Sequence, residues 1–354
     1  MPDPTTARPP HASPTPSRLE AGRDAWREAV ASGDAVTMTA LTADRYGGVE
    51  VLRLREIAVP APGPTDVLVR VQAAAANPAD LQLLAGQPFF LRFMGNGLFR
   101  PRRAVPGSDV AGRVEAVGRD VTRFRPGDAV FADLADVGRG AFAELVAAPA
   151  HVWAGVPDGV DIEAAAAAPM ASVTALQGLR DVGGIQAGRH VLINGASGGV
   201  GSFAVQIAKA LRAEVTGVTS TRNVELVRSL GADHVIDYRQ EDFAAGGPRY
   251  DLIFDTVANR AVDDYRRALA PDGAFVTTGF LPALAMPRLG AARRPRMRNM
   301  LAKTRTADLE TVAGWMASGQ VVPRIDRTYA LAEAADALRY LAEGRARGKV
   351  VLVP

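Results

Sequence analysis

From His190 to Phe280 the chain alternates two kinds of segment, and few folds tolerate that pattern. "HVLIN", "EVTGVT", "HVIDY", "DLIFDTV" and "AFVTTGF" are short apolar runs of strand length. Between them, "GSFAVQIAKALRA", "NVELVRSLGA" and "AVDDYRRALA" place apolar residues at helical spacing. Strands that are apolar along their length are buried on both faces, and strand–helix alternation demands parallel βαβ units. The expectation is an α/β chain whose residues 161–305 form a doubly wound domain with a parallel sheet.

The connection after the first of these strands narrows the purpose of that domain. It reads "NGASGGVGS", and Ala196-x-Gly198-x-x-Gly201 keeps the spacing of a dinucleotide-binding turn. Gly198 lets the backbone approach a pyrophosphate, Gly201 lets the helix pack on the strand, and the helix N-terminus faces the phosphates. Gly195, Ala196, Gly198, Gly199, Val200 and Gly201 are therefore candidate cofactor contacts. A glycine turn that serves only strand–helix packing is the competing reading.

The end of the second strand chooses between cofactors. An NAD-binding chain carries an acid there for the ribose 2′-hydroxyl, whereas this one reads "VTGVTSTRN". Ser220 and Thr221 offer hydroxyls, although either can serve as a helix cap. Arg222 is a cation in the first turn of a helix, where the dipole disfavours it unless an anion is near. A 2′-phosphate supplies that anion, so NADPH is expected over NADH. Tyr238, ending the third strand, is positioned to flank the adenine, and an ordinary strand-end tyrosine is the alternative.

With 354 residues, more than one domain is expected. "VLVRVQA", "DVAGRVEAVG" and "DAVFADL" alternate like half-buried strands separated by turn signals such as "RPGD". They place a β-rich domain at 38–160. A C-terminal segment, 306–354, has two helical stretches and ends in the strand "KVVLVP". Residues 1–37 are rich in Pro, Ala, Ser and Thr and read as a disordered arm, with a short helix near Leu19 to Ala31. The arm has no apolar core of a secretory signal, and its acids argue against a transit peptide. Met38 opens the first folded segment and is a candidate start, and a cytoplasmic protein is expected.

Composition removes several chemistries. The chain has no cysteine, hence no disulfide, thiolate zinc site or cysteine nucleophile. A net charge of +3 gives no reason to expect nucleic acid. "AAAAAPMASVTALQGL" is the nearest approach to a membrane span, but Pro169 and small polar residues interrupt it.

Taken in order, "NPADLQLLAG", "PGSDVAGRVEAVG", "RPGDAVFA", "VTALQGL", the glycine loop, "GADHVIDY" and "GKVVLVP" resemble the medium-chain dehydrogenase/reductase superfamily, in its zinc-free quinone oxidoreductase branch. The resemblance runs from about Met38 to Pro354. It implies a GroES-like catalytic domain interrupted in sequence by a Rossmann domain and completed by the C-terminal segment. It also implies homodimers. Asn77 matches an asparagine on the nicotinamide side of the cofactor, with Asp80 in the same loop; turn and cap roles compete for both. Thr174 matches a helix threonine facing the nicotinamide, and a threonine bonded back to its own helix is the alternative. Thr278, Gly279 and Phe280 match backbone groups that meet the carboxamide. Lys349 matches a "GK" near the cofactor, with a surface lysine as the competing reading.

The departures from zinc-dependent relatives bear on the reaction. Those relatives carry Cys where Asn77 stands, Gly-His-Glu at Gly107, Ser108 and Asp109, and a four-cysteine lobe that is missing here. No metal site is expected. No obligatory side-chain acid is evident, so water, Tyr46 or a ribose hydroxyl are the candidate proton sources. Hydride transfer to quinones or α,β-unsaturated carbonyls is the expected activity. Arg100, Arg102 and Arg103, with "RRPRMR" at Arg293 to Arg298, read either as solvated loops or as a cationic rim for an anionic acceptor. In the second case the chain is an enoyl-thioester reductase. A catalytically silent NADPH-binding regulatory protein is the non-enzymatic alternative.

Overall fold

The structure, a computed structural model, describes residues 36–93, 96–102, 104–279 and 296–354. The expectations placed on the arm before residue 36, and on Arg103, Phe280, Arg293 and Arg294, lie outside the described residues.

An antiparallel unit comes first in the chain. β1 (Thr37–Thr42) and β2 (Arg53–Ala58) form a two-stranded ribbon. β3 (Asp66–Ala76), the longest strand, runs into α1 (Pro78–Ala85). β4 (Asp109–Val117), β5 (Ala129–Asp133), β6 (Leu145–Pro149) and β7 (Ala154–Gly155) follow. β3 pairs antiparallel with both β4 and β6, and β5 joins β4 to β7. The alternation read in "VLVRVQA" is real but incomplete, because the run of four alanines that ends β3 is buried on both faces.

The alanine-rich stretch that resembles a membrane segment becomes two short helices, α2 (Ile162–Ala167) and α3 (Pro169–Leu176). Pro169 occupies the first turn of α3, where its missing N–H costs nothing. α3 is buried on most of its surface, and α2 buries Ala165, Ala166 and Ala167 while Glu163 in its first turn accepts from the Thr328 hydroxyl. Among the described residues no helix is long and apolar enough to cross a membrane.

The remaining strands and helices give the alternating half. β8 (His190–Asn194), α4 (Gly199–Ala210), β9 (Glu214–Thr219), α5 (Val224–Ser229), β10 (His234–Asp237), β11 (Tyr250–Asp255), α6 (Val262–Ala268), β12 (Leu269–Thr277) and β13 (Arg296–Asn299) follow in order. The six strands form one sheet in the order β10-β9-β8-β11-β12-β13, with every pair parallel. The order reverses between β8 and β11, and such a switch point leaves a crevice beyond the C-terminal ends of the strands.

The chain then crosses α7 (Thr306–Ala317) and returns to the first sheet. β14 (Ile325–Ala330), α8 (Ala334–Ala342) and β15 (Lys349–Val353) come last. β15 pairs with β14 on one side and antiparallel with β3 on the other, Val351 opposite Ala75. This pairing brings Lys349, the first residue of β15, to the end of β3 and the start of α1.

Candidate active site

Both sheets contribute to one cleft of about 1000 Å³. Asn194, Thr219, Thr256 and Thr278 mark the ends of β8, β9, β11 and β12 in its wall, which places it at the switch point. Asn77, Pro78 and Gln82 enter from the side of the other sheet, and Gly344, Arg345, Ala346, Gly348 and Lys349 close it from the C-terminal side.

The glycine loop forms one wall, and its glycines have separate tasks. Gly195 has φ 83°, and a Cβ there would lie 2.4 Å from the Thr256 hydroxyl oxygen. A Cβ on Gly201 would lie 2.0 Å from the Gly195 carbonyl oxygen, so this residue permits the helix to pack on its own loop. Gly198 is different, since the nearest atom to its Cβ position is 3.4 Å away. Its bareness faces the cleft and not the protein. The buried Ala196 donates its amide to the Val218 carbonyl at 3.1 Å. Gly199, Val200 and Gly201 begin α4, where amides have no intrahelical acceptor, and no acid occupies that first turn. Helix amides and dipole together offer a site for an anion such as a pyrophosphate.

At the end of β9 the cleft becomes cationic. Ser220 and Arg222 line it, as do Tyr238, Arg239 and Arg345. Arg222 donates to the Arg345 carbonyl at 3.2 Å, which holds its guanidinium against the C-terminal loop. Thr221 is not in the lining; its hydroxyl donates to Asp237 at 2.6 Å. That bond, first among several, holds the Asp237 carboxyl below the ordinary range. The Arg239 amide and the Gln240 side chain also donate to it. Asp237 is thus satisfied within the protein. Tyr238 is half exposed at the mouth.

The opposite end holds a buried polar cluster. Lys349 Nζ donates to Asn77 Oδ1 at 2.5 Å and to Asp109 Oδ2 at 2.9 Å. Asn77 Nδ2 donates to the same Asp109 oxygen at 3.0 Å, and the Met170 amide donates to the other at 2.8 Å. Asp80 Oδ2 accepts the Asn77 amide at 2.8 Å across the first turn of α1. Its Oδ1 is buried without a partner. Burial, reinforced by the charge of Asp109, pushes the Asp80 carboxyl up to about 7. Burial likewise raises Asp133, the strand neighbour of Asp109, to about 7. Among the described residues no group of His, Cys, Asp and Glu is arranged to hold a metal.

Residues 63–158 match the family described as alcohol dehydrogenase GroES-like domain, and residues 230–352 match zinc-binding dehydrogenase. A chloroplast envelope quinone oxidoreductase homolog from Arabidopsis thaliana is 32% identical over 335 residues, covering 90% of this chain and 98% of that protein. An NADPH-dependent alkenal/one oxidoreductase, also chloroplastic and from Arabidopsis thaliana, is 34% identical over 321 residues, 87% of this chain and 78% of that one. The chain belongs to the medium-chain dehydrogenase/reductase superfamily. Among its solved members, the quinone oxidoreductase from Coxiella burnetii superposes with a TM-score of 0.79 at 28% identity, covering 90% of this chain and 100% of that one.

In this medium-chain dehydrogenase/reductase the sequence-derived site residues do not all converge. Asn77, Thr278 and Gly279 line the cleft, as does Lys349, which is buried and not a surface lysine. Of the backbone groups at Thr278 and Gly279, both amides already have acceptors within the protein: Thr278 donates to the Asp255 carbonyl and Gly279 to the Thr277 hydroxyl. Thr174 lies one turn beyond Ala171, the residue of α3 that reaches the lining. Tyr46 lines a separate small cavity, which it shares with Asp80, Asn96 and Arg139. Its hydroxyl is engaged by the carbonyls of Asn96 at 2.9 Å and Gly97 at 2.5 Å, and burial raises its pKa. Arg100 and Arg102 are absent from the cleft lining, as are Arg296 and Arg298 on the edge strand β13, so these arginines form no rim to it. The cationic rim consists instead of Arg222, Arg239, Arg260 and Arg345. Arg345 was not anticipated. Its one sequence signal is its place in "GRARGK", four residues before Lys349.

Proposed function

We propose that this chain is an NADPH-dependent reductase of quinones or α,β-unsaturated carbonyls that works without a metal. The observation that carries this reading is the lysine in the nicotinamide end of the cleft. Asn77, Ser108 and Asp109 stand at positions where zinc-dependent relatives have ligands, yet the Lys349 ammonium bonds to two of the three. A fixed cation already neutralises the carboxylate, and no thiolate or imidazole accompanies it. That donor set is unsuited to zinc.

The other end of the cleft supports the choice of NADPH. Uncapped amides of Gly199, Val200 and Gly201 receive the pyrophosphate. Ser220, Arg222 and Arg345 are the groups that would hold a 2′-phosphate, by charge-assisted hydrogen bonds. When bound, the nicotinamide supplies the hydride.

The chain's own contribution is then positional. Asn77 is locked by Lys349, Asp109 and Asp80, so the face it presents to the cleft is rigid. A lysine ammonium has three donors, of which two are spent here; the third is left for an acceptor oxygen that gains negative charge. Without a Lewis acid to polarise a simple ketone, the acceptors are those that are electrophilic already.

Steady-state assays with NADPH and NADH, a small quinone, an enone and a secondary alcohol test this reading. Reduction of the first two acceptors with NADPH, unaffected by chelator, is the expected result. Efficient alcohol oxidation that is lost on chelation, with stoichiometric zinc by elemental analysis, overturns it.

A further inference from the structure

Large apolar side chains exposed to water are concentrated in one stretch of the chain. Nine are exposed among the described residues, and four of them, Phe89, Phe93, Leu98 and Phe99, fall within eleven positions. Phe93 and Phe99 are 67% and 88% exposed, far more than scattered surface residues need be. The charge there is one-sided. Between Asp80 and Asp109 the sequence has four arginines and no acid.

The patch is held in shape. Phe89 and Phe93 meet edge to face with ring centroids 5.5 Å apart. Arg92 donates to the Gly86 carbonyl at 3.1 Å, and its guanidinium lies 4.3 Å from the Tyr46 ring centre and 5.1 Å from that of Phe89. Arg92 is therefore a strut. Arg100 and Arg102, in contrast, are exposed; the Arg102 amide donates to the Asn96 carbonyl at 2.7 Å, and neither guanidinium has a hydrogen bond or ion pair among the described residues.

We infer that this surface docks the protein on an anionic lipid bilayer. Aromatic and leucine side chains flanked by arginines match the acyl boundary and the phosphate layer above it. A second copy of the chain is a poorer occupant. A two-fold contact through this patch sets Arg100 and Arg102 against their own counterparts, with no acid to neutralise them. The docking stands apart from the reductase reading, since vesicle binding requires no turnover.

The test is co-sedimentation of the full 354-residue chain with vesicles of phosphatidylcholine alone or mixed with phosphatidylglycerol. Binding is expected to the mixed vesicles and to weaken with salt. Replacing both Phe93→Ser and Phe99→Ser should reduce it by about tenfold or more. Arg100→Glu and Arg102→Glu should each reduce it by about fivefold. Melting temperature and turnover on a water-soluble quinone should stay unchanged in all these variants. Failure to bind mixed vesicles, or binding that ignores the phenylalanines, overturns the inference. A wild-type dimer that the serine variants convert to monomer by light scattering also overturns it, because a second copy then covers the patch.

Discussion

Lys349 and Asp109 form an ion pair inside the protein, Nζ to Oδ2 2.9 Å, with side chains only 3% and 0% exposed. Removing one partner leaves the other charge buried and alone, which is far costlier than removing both. Lys349→Met should destabilise the fold by about 3–5 kcal/mol, and adding Asp109→Asn should restore part of that loss. Urea unfolding of the two single variants and the double variant checks this. Strictly additive losses would mean that the pair contributes no coupling.

Gly201 and Gly198 separate packing from ligand approach. Gly201→Ala forces a methyl to within 2.0 Å of a backbone oxygen, so the loop must shift. A loss of about 3 kcal/mol or more is expected, with cofactor binding lost as well. Gly198→Ala meets only an ordinary contact at 3.4 Å, and its melting temperature should hardly change. Its cofactor affinity should nevertheless fall by about tenfold, because the methyl occupies the phosphate's approach. Calorimetric titration beside thermal melts distinguishes the two.

Arg222 and Arg345 come from different sheets to the same end of the cleft. Arg222→Ala should weaken NADPH binding by about tenfold or more while NADH binding changes little. Arg345→Ala should act in the same direction. Equal losses for both cofactors would remove the 2′-phosphate from this corner.

Asp80 makes stability depend on pH in an unusual direction. Its carboxyl titrates at about 7 in the folded protein and near the ordinary carboxylate value when unfolded. Between those values the native state holds more protons, so stability falls as pH rises through that window and levels off above it. The slope for one such group is at most about 1.4 kcal/mol per pH unit. Asp80→Asn keeps an acceptor for the Asn77 amide and should flatten the slope. It should also make the protein more stable than wild type above neutrality. Asp133 has the same sign, so a residual slope should persist. Urea midpoints across the range from about pH 5 to about pH 8 follow it. An unchanged slope in the variant would place the titration elsewhere.

Five strands of the parallel sheet were legible because they are short apolar runs, three of them followed by an amphipathic stretch. The glycine loop was legible for the same reason, since the strand before it and the helix after it were already apparent. The edge strand β13, "RMRN", was not legible, because it is polar and exposed at alternate residues. β2 was not, because "RLREIA" is exposed along nearly its whole length and carries no burial pattern. The candidate site divides along similar lines. Asn77 and Lys349 came from the resemblance, but Asp109 entered only as a departure from a metal-binding pattern. No local signal ties it to a lysine 240 residues away. Tyr46 was a reasonable choice by residue type, yet where its hydroxyl points depends on the carbonyls of Asn96 and Gly97, which only the folded loop brings near.

The return of β15 to β3 has a consequence for the order in which the protein can be made. A ribosome must add 240 residues after Asp109 before Lys349 exists. At ordinary elongation rates that interval lasts roughly 10 to 50 seconds. The entire parallel sheet is synthesised meanwhile, and none of its strands pairs with β15, although Val351 later packs into its core. The antiparallel sheet, lacking that strand and the cation for its buried carboxylate, has to wait. The nascent protein therefore carries a parallel sheet with all its strands made beside an antiparallel one still short of its last strand, and this is the stage at which a chaperone has most to do.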